Sequence, residues 1–333
     1  MTPATIMAPE PDAFTRALAD FPVHLPPPSL YRFSGALGGV SALRDLTIKL
    51  TRPEDFNDPF EILPGIAAAD LNADAVVRSL MAPNGLPRKA SGNRQRGSAD
   101  EAKLLAHVTA GVLSAPEHIP EYARKSINAI GDTFREALGV CCFAAFEEDD
   151  LCGELGIRHW SHYSDHHRGV AIEYDGKHGM MLGLSMQKVL FPVEYCPARV
   201  QAKLEEFEDW TDTKMWQLMR RWTAMKSHLA WGDEKEWRFM APLDPFLEKG
   251  VAIKTRVGDQ EISLFQLLHG IHDADGKMNM ARIIRRVIFG VRTAQATKDE
   301  VLELLSEPHL RHVQVAQATL SPSDFRLEIK RIT

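Results

Sequence analysis

The motif EKEWR, which ends at Arg238, places two carboxylates and a guanidinium at alternate positions. If the motif lies in a β-strand, Glu234, Glu236 and Arg238 share one face, while Trp237 and Phe239 anchor the other face in the core. Two carboxylates about 7 Å apart on one face repel each other unless a cation lies between them. The arrangement costs stability, which invites a functional explanation. An ordinary Glu–Arg pair on a surface strand is the alternative.

A second group of chemically active side chains lies between positions 159 and 167. It consists of His159, Trp160, His162, Tyr163, Asp165, His166 and His167. The spacing fits no familiar closed zinc site, and no cysteine stands at ligand spacing. We therefore predict no metal. Instead, Trp160 and Tyr163 are expected to pack inward, and one histidine to donate a structural or substrate hydrogen bond.

The motif FNDPFE forms a third candidate. Asn57 and Asp58 can hydrogen-bond to the backbone of their own turn, and Phe56 and Phe60 are expected to bury its flanks. The motif therefore predicts a rigid loop. Either it lines a pocket, with Asp58 or Glu61 facing the ligand, or it only closes a turn.

Arg32 stands in the short apolar run LYRF, which predicts a first strand. A lone arginine in such a place is commonly an exposed charge. If the strand end faces a pocket, its planar fork suits a phosphate or a carboxylate.

Composition narrows the class of protein. Apolar residues make up 44% of the 333 residues, which suffices for a folded core, and the net charge of −6 argues against broad electrostatic capture of nucleic acid. The apolar runs are far shorter than the roughly 20 residues of a membrane helix, and the N-terminal residues lack the pattern of a secretory signal. We therefore expect a cytoplasmic protein, with no membrane partner, whose four cysteines are reduced.

Periodicity predicts an alternation of helices and strands. The expected helices cover a repeat of apolar residues from Ala123 to Leu138, residues 213–230 and residues 297–306. The expected strands are 30–33, 46–50, 140–146, 169–175, 189–195, 234–240, 286–290 and 325–332.

This order predicts an α+β fold with a mixed, mostly antiparallel sheet. Residues 1–28 end in three prolines and are expected to be an extended segment. Residues 29–333 are expected to form a single domain with a helical insertion at about 65–138. Within the insertion, residues 82–100 combine Gly, Pro and Ser with basic residues, which is typical of a mobile loop.

These pieces together resemble an uncharacterised, mostly bacterial family of domains of unknown function, over about residues 30–330. The resemblance rests on ordered motifs: LYRF at 30–33, FNDPFE at 56–61, WSHY at 160–163 followed by residues 169–175, VEY at 193–195, Lys226, EKEWR at 234–238 and VIFG at 287–290. Such sequences tend to read Cys-Phe-Ser where this chain has Cys142-Phe143-Ala144.

The chain has a more distant likeness to ADP-ribosyltransferases, including toxin-like and phage-defence members. This likeness implies that the core of the sheet could resemble that of those enzymes. An early strand with an arginine and a late Glu-x-Glu strand occur in the same order in those enzymes. The likeness implies that Arg32 holds the phosphates of NAD, the substrate. It implies that Glu236 stabilises the oxocarbenium ion as nicotinamide leaves, and that Glu234 orients or deprotonates an acceptor, either protein or nucleic acid.

Together with the loop and WSHY motifs, this likeness predicts a site with two catalytic carboxylates, Glu236 and Glu234. The residues expected to bind the nucleotide are Tyr31, Arg32, Asn57, Asp58, His162, Tyr163 and Arg238.

Two other functions fit the same residues. A metal-dependent hydrolase or nuclease would use Asp58, Glu61, Glu234 and Glu236 as oxygen ligands. A non-catalytic sensor or interaction module would use the loop at 82–100, and its carboxylates would be structural. The enzymes require Glu236 to open into a concave pocket, whereas the module allows it to be ion-paired.

Overall fold

The structure is a computed structural model, and it describes residues 13–66, 110, 119–203, 206, 211–257, 259–271 and 274–332. The predicted loop at 82–100 and most of the predicted insertion at 65–138 lie outside the described residues.

The described helices are α1 (Ala13–Ala17), α2 (Ala36–Asp45), α3 (Ile119–Ala137), α4 (Glu148–Cys152), α5 (Glu154–Tyr163), α6 (Gly179–Met186), α7 (Asp212–Thr223), α8 (His228–Trp231), α9 (Leu243–Glu248), α10 (Ala274–Ala281) and α11 (Gln295–Leu305). The strands are β1 (Ser29–Ser34), β2 (Thr47–Leu50), β3 (Gly65–Ile66), β4 (Leu138–Ala144), β5 (Val170–Asp175), β6 (Leu190–Pro192), β7 (Glu194–Cys196), β8 (Gln201–Ala202), β9 (Met225–Ser227), β10 (Glu236–Pro242), β11 (Ala252–Val257), β12 (Gln260–Gln266), β13 (Ile284–Phe289), β14 (Gln314–Leu320) and β15 (Leu327–Arg331).

The chain divides into two compact units, each built from three segments. The first unit consists of Met1–Asp20, Arg52–Leu138 and Glu194–Leu229. The second consists of Phe21–Thr51, Gly139–Val193 and Ala230–Thr333. The first unit thus contains the predicted insertion together with a later segment of the chain. The prediction of one domain over residues 29–333 stays a prediction.

The second unit is built on an eight-stranded sheet of order β15-β14-β13-β5-β1-β4-β10-β6. Its described pairs are antiparallel except β13–β14, which is parallel. A separate antiparallel sheet has the order β11-β12-β2. The predicted α+β class with a mixed, mostly antiparallel sheet is confirmed.

The central strand β5 is buried along nearly its whole length: Val170, Ile172 and Tyr174 occupy one face, and Ala171 and the ion-paired Glu173 are buried on the other. One face of the sheet packs against α4 and α5 through a core that includes Phe33, Trp160, Ala171 and Ile288. Trp160 packs edge-on against Phe33 with ring centroids 5.1 Å apart. The inward position predicted for Trp160 is therefore confirmed.

The first unit packs aromatic side chains around α7. Phe14 meets Trp216 edge-on at 4.8 Å, and Phe134 lies 5.0 Å from Trp222 between ring centroids. Thr211 begins α7 by accepting a hydrogen bond from the backbone N–H of Lys214. Two short parallel pairs, β3–β8 and β7–β9, complete the described part of this unit.

Several of the predicted elements differ from the structure in extent. The helix predicted at 213–230 ends at Thr223, because the chain continues into β9, which pairs with β7. Leu229, inside the predicted range, is 91% exposed. The strand predicted at 189–195 is two strands, β6 and β7, whose partners differ. The N-terminal segment is not extended throughout, because Ala13–Ala17 form α1. The strand predicted at 234–240 begins only at Glu236.

No helix in the described part of the chain is both long enough and apolar enough to span a membrane.

Candidate functional site

A pocket with a cavity volume of about 170 Å³ lies in the first unit. Its wall is made by the end of the FNDPFE loop, the loop that follows β7, the end of α7 and the strand β9. The residues that line it are Asp58, Phe60, Ile62, Leu63, Pro64, Cys196, Pro197, Ala198, Arg199, Val200, Trp222, Met225, Lys226 and Ser227.

The FNDPFE loop takes its shape from the aspartate. Asp58 is buried, and its Oδ1 accepts a hydrogen bond from the backbone N–H of Phe60 at 2.9 Å, which confirms the predicted bond from the loop to its own turn. Asn57, by contrast, is exposed and does not line the pocket. The expectation that Phe60 buries a flank of the loop is wrong, because its side chain is 57% exposed at the pocket.

Two basic side chains line the same pocket. The Arg199 guanidinium lies 5.2 Å from the centroid of the Phe60 ring, and its Nη2 donates to the carbonyl oxygens of Leu63 at 2.7 Å and Pro64 at 2.9 Å. Partial burial lowers the pKa of Arg199. Lys226 lies in β9 opposite Tyr195 and is only 8% exposed. A buried ammonium at the wall of a pocket is a natural partner for an anion.

Neither Arg199 nor Lys226 is among the predicted site residues. Lys226 stands in one of the motifs on which the family resemblance rests, and that was the available signal. Lys226 was not predicted as a site residue because it fell within the helix predicted over 213–230, and a lysine on an amphipathic helix is normally solvated.

The predicted carboxylates lie in the second unit, at the start of β10. Glu236 and Arg238 share a face of this strand and form an ion pair, with 2.7 Å between Arg238 Nε and Glu236 Oε1 and 3.4 Å between Nη2 and Oε2. Glu236 is 6% exposed and Arg238 0% exposed. The pKa of the nearby Cys142 thiol is raised well above its usual range, mainly by burial and secondly by the negative charge of Glu236.

Glu234 does not share that face. It precedes the strand, and Lys235 has a φ of +49°, so the alternation expected from a continuous strand is broken between the two glutamates. Glu234 is instead half-buried and accepts a 2.7 Å hydrogen bond from the hydroxyl of Tyr163. The prediction that Trp237 anchors the strand in the core is also wrong, because that side chain is only half-buried, whereas Phe239 is buried.

The histidines in and just before the WSHY motif differ in exposure. His159 is buried, and its Nδ1 lies 3.0 Å from the carbonyl oxygen of Leu155. His162 is exposed at the end of α5, with its ring 6.2 Å from that of Tyr163. Within the described residues, no three His, Cys, Asp or Glu side chains are placed to hold a metal ion.

Arg32 and Tyr31 point to opposite faces of the main sheet, as neighbours in a strand must. The Nη1 of Arg32 lies 2.7 Å from Cys141 Sγ, and its Nη2 donates to the carbonyl oxygen of Lys49 at 3.2 Å. Besides burial, Glu236 raises the pKa of both Cys142 and Cys141, and it forms a side-chain hydrogen bond with Cys142. Because Cys141 and Cys142 point to opposite faces of β4, Arg32 and Glu236 contact that strand from opposite sides.

Tyr31 belongs to a polar network on its own face of the sheet. Its hydroxyl accepts a hydrogen bond from Arg286 Nη2 at 3.0 Å, and Arg286 Nε pairs with Glu173 Oε2 at 2.7 Å. Burial, reinforced by Glu173, raises the pKa of Tyr31 to about 12. Of the predicted site residues, the structure therefore brings Tyr163 to Glu234 and Arg238 to Glu236. Arg32 contacts Cys141 instead, and Tyr31 contacts Arg286.

Comparison with known proteins finds one family model, described as a protein of unknown function (DUF2971), that is similar to residues 159–239. The matched stretch holds the WSHY and EKEWR motifs and, in the pocket, Cys196, Arg199 and Lys226. No curated protein and no solved structure matches the chain significantly.

Proposed function

We propose that the pocket of the first unit binds an anionic nucleotide, with NAD as the candidate substrate. The observation that carries this proposal is that Lys226, at 8% exposure, lines a pocket whose wall also carries an exposed aromatic ring and a buried carboxylate. Each of these groups corresponds to one part of a nucleotide.

Lys226 suits the phosphate. An ammonium group has three N–H donors, so it can hold a phosphate oxygen while it keeps its protein contacts. Its attraction to an anion is stronger at the wall of a pocket than in bulk water, because the effective dielectric constant is lower there.

Phe60 and Asp58 suit the base and the sugar. The exposed Phe60 ring offers a surface on which a planar base can stack, and Arg199 lies over the same ring. The Asp58 carboxylate can accept about four hydrogen bonds, and one of them comes from the backbone N–H of Phe60 in its own turn. A ribose hydroxyl can donate to that carboxylate.

The size of the pocket limits how much of a nucleotide it encloses. Pockets that enclose drug-sized ligands have volumes of about 300–1,000 Å³, whereas this cavity has about 170 Å³. We therefore propose that the pocket encloses one phosphate and its sugar, and that the base lies outside on Phe60.

ADP-ribosyl transfer or NAD hydrolysis is the reaction that we propose for the chain, in keeping with a toxin-like or phage-defence role in the cytoplasm. The cationic sugar formed as nicotinamide leaves needs a fixed carboxylate beside it. Of the two carboxylates predicted to be catalytic, Glu234 is the better candidate, since it is half-buried and held by the Tyr163 hydroxyl, whereas Arg238 engages both oxygens of Glu236.

Binding without turnover is the second candidate function. It is favoured by the burial of Glu236 against Arg238, which is what a structural carboxylate shows. A sensor or interaction module of this kind would hold the nucleotide in the pocket and release no nicotinamide.

Calorimetric titration with NAD, together with chromatographic detection of nicotinamide, tests both candidates. The wild-type protein is expected to bind NAD, Lys226→Met to bind roughly 30-fold more weakly, and Lys226→Arg to bind almost normally. Lys125→Ala is the matched control, because Lys125 is exposed in the same unit and pairs only with Glu121 among the contacts described. Equal affinity of Lys226→Met and the wild type for NAD would contradict the proposal that this pocket binds the nucleotide. Binding without nicotinamide release selects the module.

A further inference from the structure

Arg199 is the arginine of the pocket wall, and its contacts leave part of its guanidinium open. Its Nε and Nη2 donate to the carbonyl oxygen of Leu63, and Nη2 also donates to that of Pro64. The third nitrogen, Nη1, has no hydrogen-bond partner among the described residues, and it carries two N–H donors. Two donors at the wall of a cavity are therefore open to a ligand.

The positive charge of Arg199 also has no acid beside it. Three other arginines in the described part of the same unit each pair with an acidic side chain: Arg52 with Glu54, Arg135 with Asp132 and Arg221 with Glu206. Arg199 forms no ion pair with the described residues, and partial burial is what lowers its pKa. A partly buried guanidinium without a counter-ion attracts an anion more strongly than one that is already neutralised.

Lys226 supplies a second positive charge to the same cavity in a more buried position. It is 8% exposed, whereas Arg199 is an exposed residue. Both line one cavity of about 170 Å³. Asp58, the acid of the lining, repels a phosphate, so these two cations are the charged groups that can hold one.

We infer that Arg199 binds the second phosphate of a diphosphate, which rests on the proposed function, in which Lys226 holds the first. The two phosphates of a diphosphate share a bridging oxygen, so the second lies directly beside the first. When it extends toward the exposed side of the pocket, Arg199 Nη1 can donate to it while Nε and Nη2 keep their carbonyl partners. The pocket then selects nucleoside diphosphates and dinucleotides over nucleoside monophosphates.

The guanidinium is held in place before a ligand arrives. Its bonds to the carbonyl oxygens of Leu63 and Pro64 fix its plane, and the Phe60 ring lies 5.2 Å from it. A group that is already fixed loses little conformational freedom when it binds, so more of the contact appears as affinity. Arg199 is therefore suited to distinguish ligands that differ by one phosphate.

Calorimetric titration of the full chain with AMP and with ADP tests the inference, because the two ligands share a base and a ribose and differ by one phosphate. The wild type is expected to bind ADP about tenfold or more tighter than AMP, and Arg199→Gln to bind the two with affinities within about threefold of each other. The substitution also removes bonds to Leu63 and Pro64. That loss weakens both ligands alike, so the ratio of the two affinities isolates the contact with the second phosphate.

Two further variants serve as controls. Arg52→Gln removes an arginine of the same unit that pairs with Glu54 outside the pocket, and it is expected to keep the wild-type ratio. Arg199→Lys keeps the positive charge but not the fork of donors, so it is expected to keep part of the preference for ADP. Thermal melts by circular dichroism check that each variant is folded.

The outcomes separate this inference from the proposed function. Equal affinities of the wild type for AMP and ADP, or a wild-type ratio in Arg199→Gln, overturn the role of Arg199 and leave the nucleotide pocket standing. If AMP, ADP and NAD all fail to bind the wild type, the proposed function fails, and the role of Arg199 fails with it.

Discussion

The pocket of the first unit and the start of β10 in the second unit both gather charged residues, but they use them differently. At β10, Glu236 and Arg238 are buried and satisfy each other. In the pocket, Lys226 and Asp58 are buried at the wall of a cavity, beside an exposed ring. A buried ion pair away from any cavity serves the fold, whereas a buried charge that also lines a cavity can contact a ligand as well as its protein partners.

This difference changes which residues we expect to take part in the function. The motif EKEWR predicted a strand face with two active carboxylates, yet the structure separates them. Glu236 belongs to the ion pair, and Glu234 stands before the strand with Tyr163. Glu234 and the pocket around Lys226 are therefore the parts of the molecule from which we expect chemistry.

The largest expected effect comes from removing one partner of the buried pair. Arg238→Met leaves Glu236 buried without its cation, so we expect a loss of about 3–5 kcal/mol in the free energy of unfolding. Urea denaturation followed by circular dichroism measures it. The double variant Glu236→Leu, Arg238→Met is the control and is expected to recover much of the loss. A loss below about 1 kcal/mol in Arg238→Met, as for a surface pair, would show that the pair is not structural.

A large effect on turnover is expected at Glu234. If its carboxylate supports the leaving of nicotinamide, Glu234→Gln lowers the rate of nicotinamide release by about 100-fold or more. Affinity for NAD should change little, because the proposed binding groups lie in the pocket. Rates measured for Glu234→Gln and Glu236→Gln distinguish the two carboxylates. If Glu236→Gln slows nicotinamide release and Glu234→Gln does not, the catalytic carboxylate is Glu236.

Tyr163→Phe is expected to have a moderate effect. The change removes a hydroxyl that holds Glu234 at 2.7 Å and leaves the ring in place. We expect unfolding to become easier by about 1 kcal/mol. We also expect nicotinamide release to slow less than in Glu234→Gln, because the carboxylate remains but is less well oriented. A rate that falls further in Tyr163→Phe than in Glu234→Gln would assign the chemistry to the tyrosine.

The smallest expected effect is a dependence of stability on alkaline pH. The pKa of Tyr31 is raised to about 12 in the folded chain, against about 10 in an unfolded one. Between these values the unfolded chain has lost a proton that the folded chain keeps. The contribution of Tyr31 is therefore complete below about pH 10 and is lost as the pH rises toward 12. Unfolding curves of the wild type and Tyr31→Phe should converge over this range, and parallel curves would contradict the assignment.

Much of the fold could be predicted from the sequence. The run VAIEYD indicates a strand, and Ile127, Ile130 and Phe134 indicate a helix, because local periodicity mirrors the face that each element buries. The end of α7 could not be predicted. Apolar residues continue past Thr223 at helical spacing, but the pairing of β9 with β7 overrides them.

The candidate site was less predictable for a related reason. Whether a buried charged residue also lines a cavity depends on contacts that are distant in the sequence. The pairing of Glu236 with Arg238 was visible from their spacing, but its burial was not. Lys226 and Asp58 are far apart in the chain and meet at one cavity wall only through the fold of the first unit.

The most direct test of the central claim locates the ligand in the pocket. Cys196 lines the pocket, whereas Cys152 is a half-buried cysteine outside it and serves as the internal control. Alkylation with iodoacetamide, followed by mass spectrometry of each cysteine, is run with and without saturating NAD. We predict that NAD slows the labelling of Cys196 severalfold and leaves Cys152 unchanged. Equal labelling of Cys196 in both samples, with NAD bound by calorimetry, would place the nucleotide elsewhere and contradict the account.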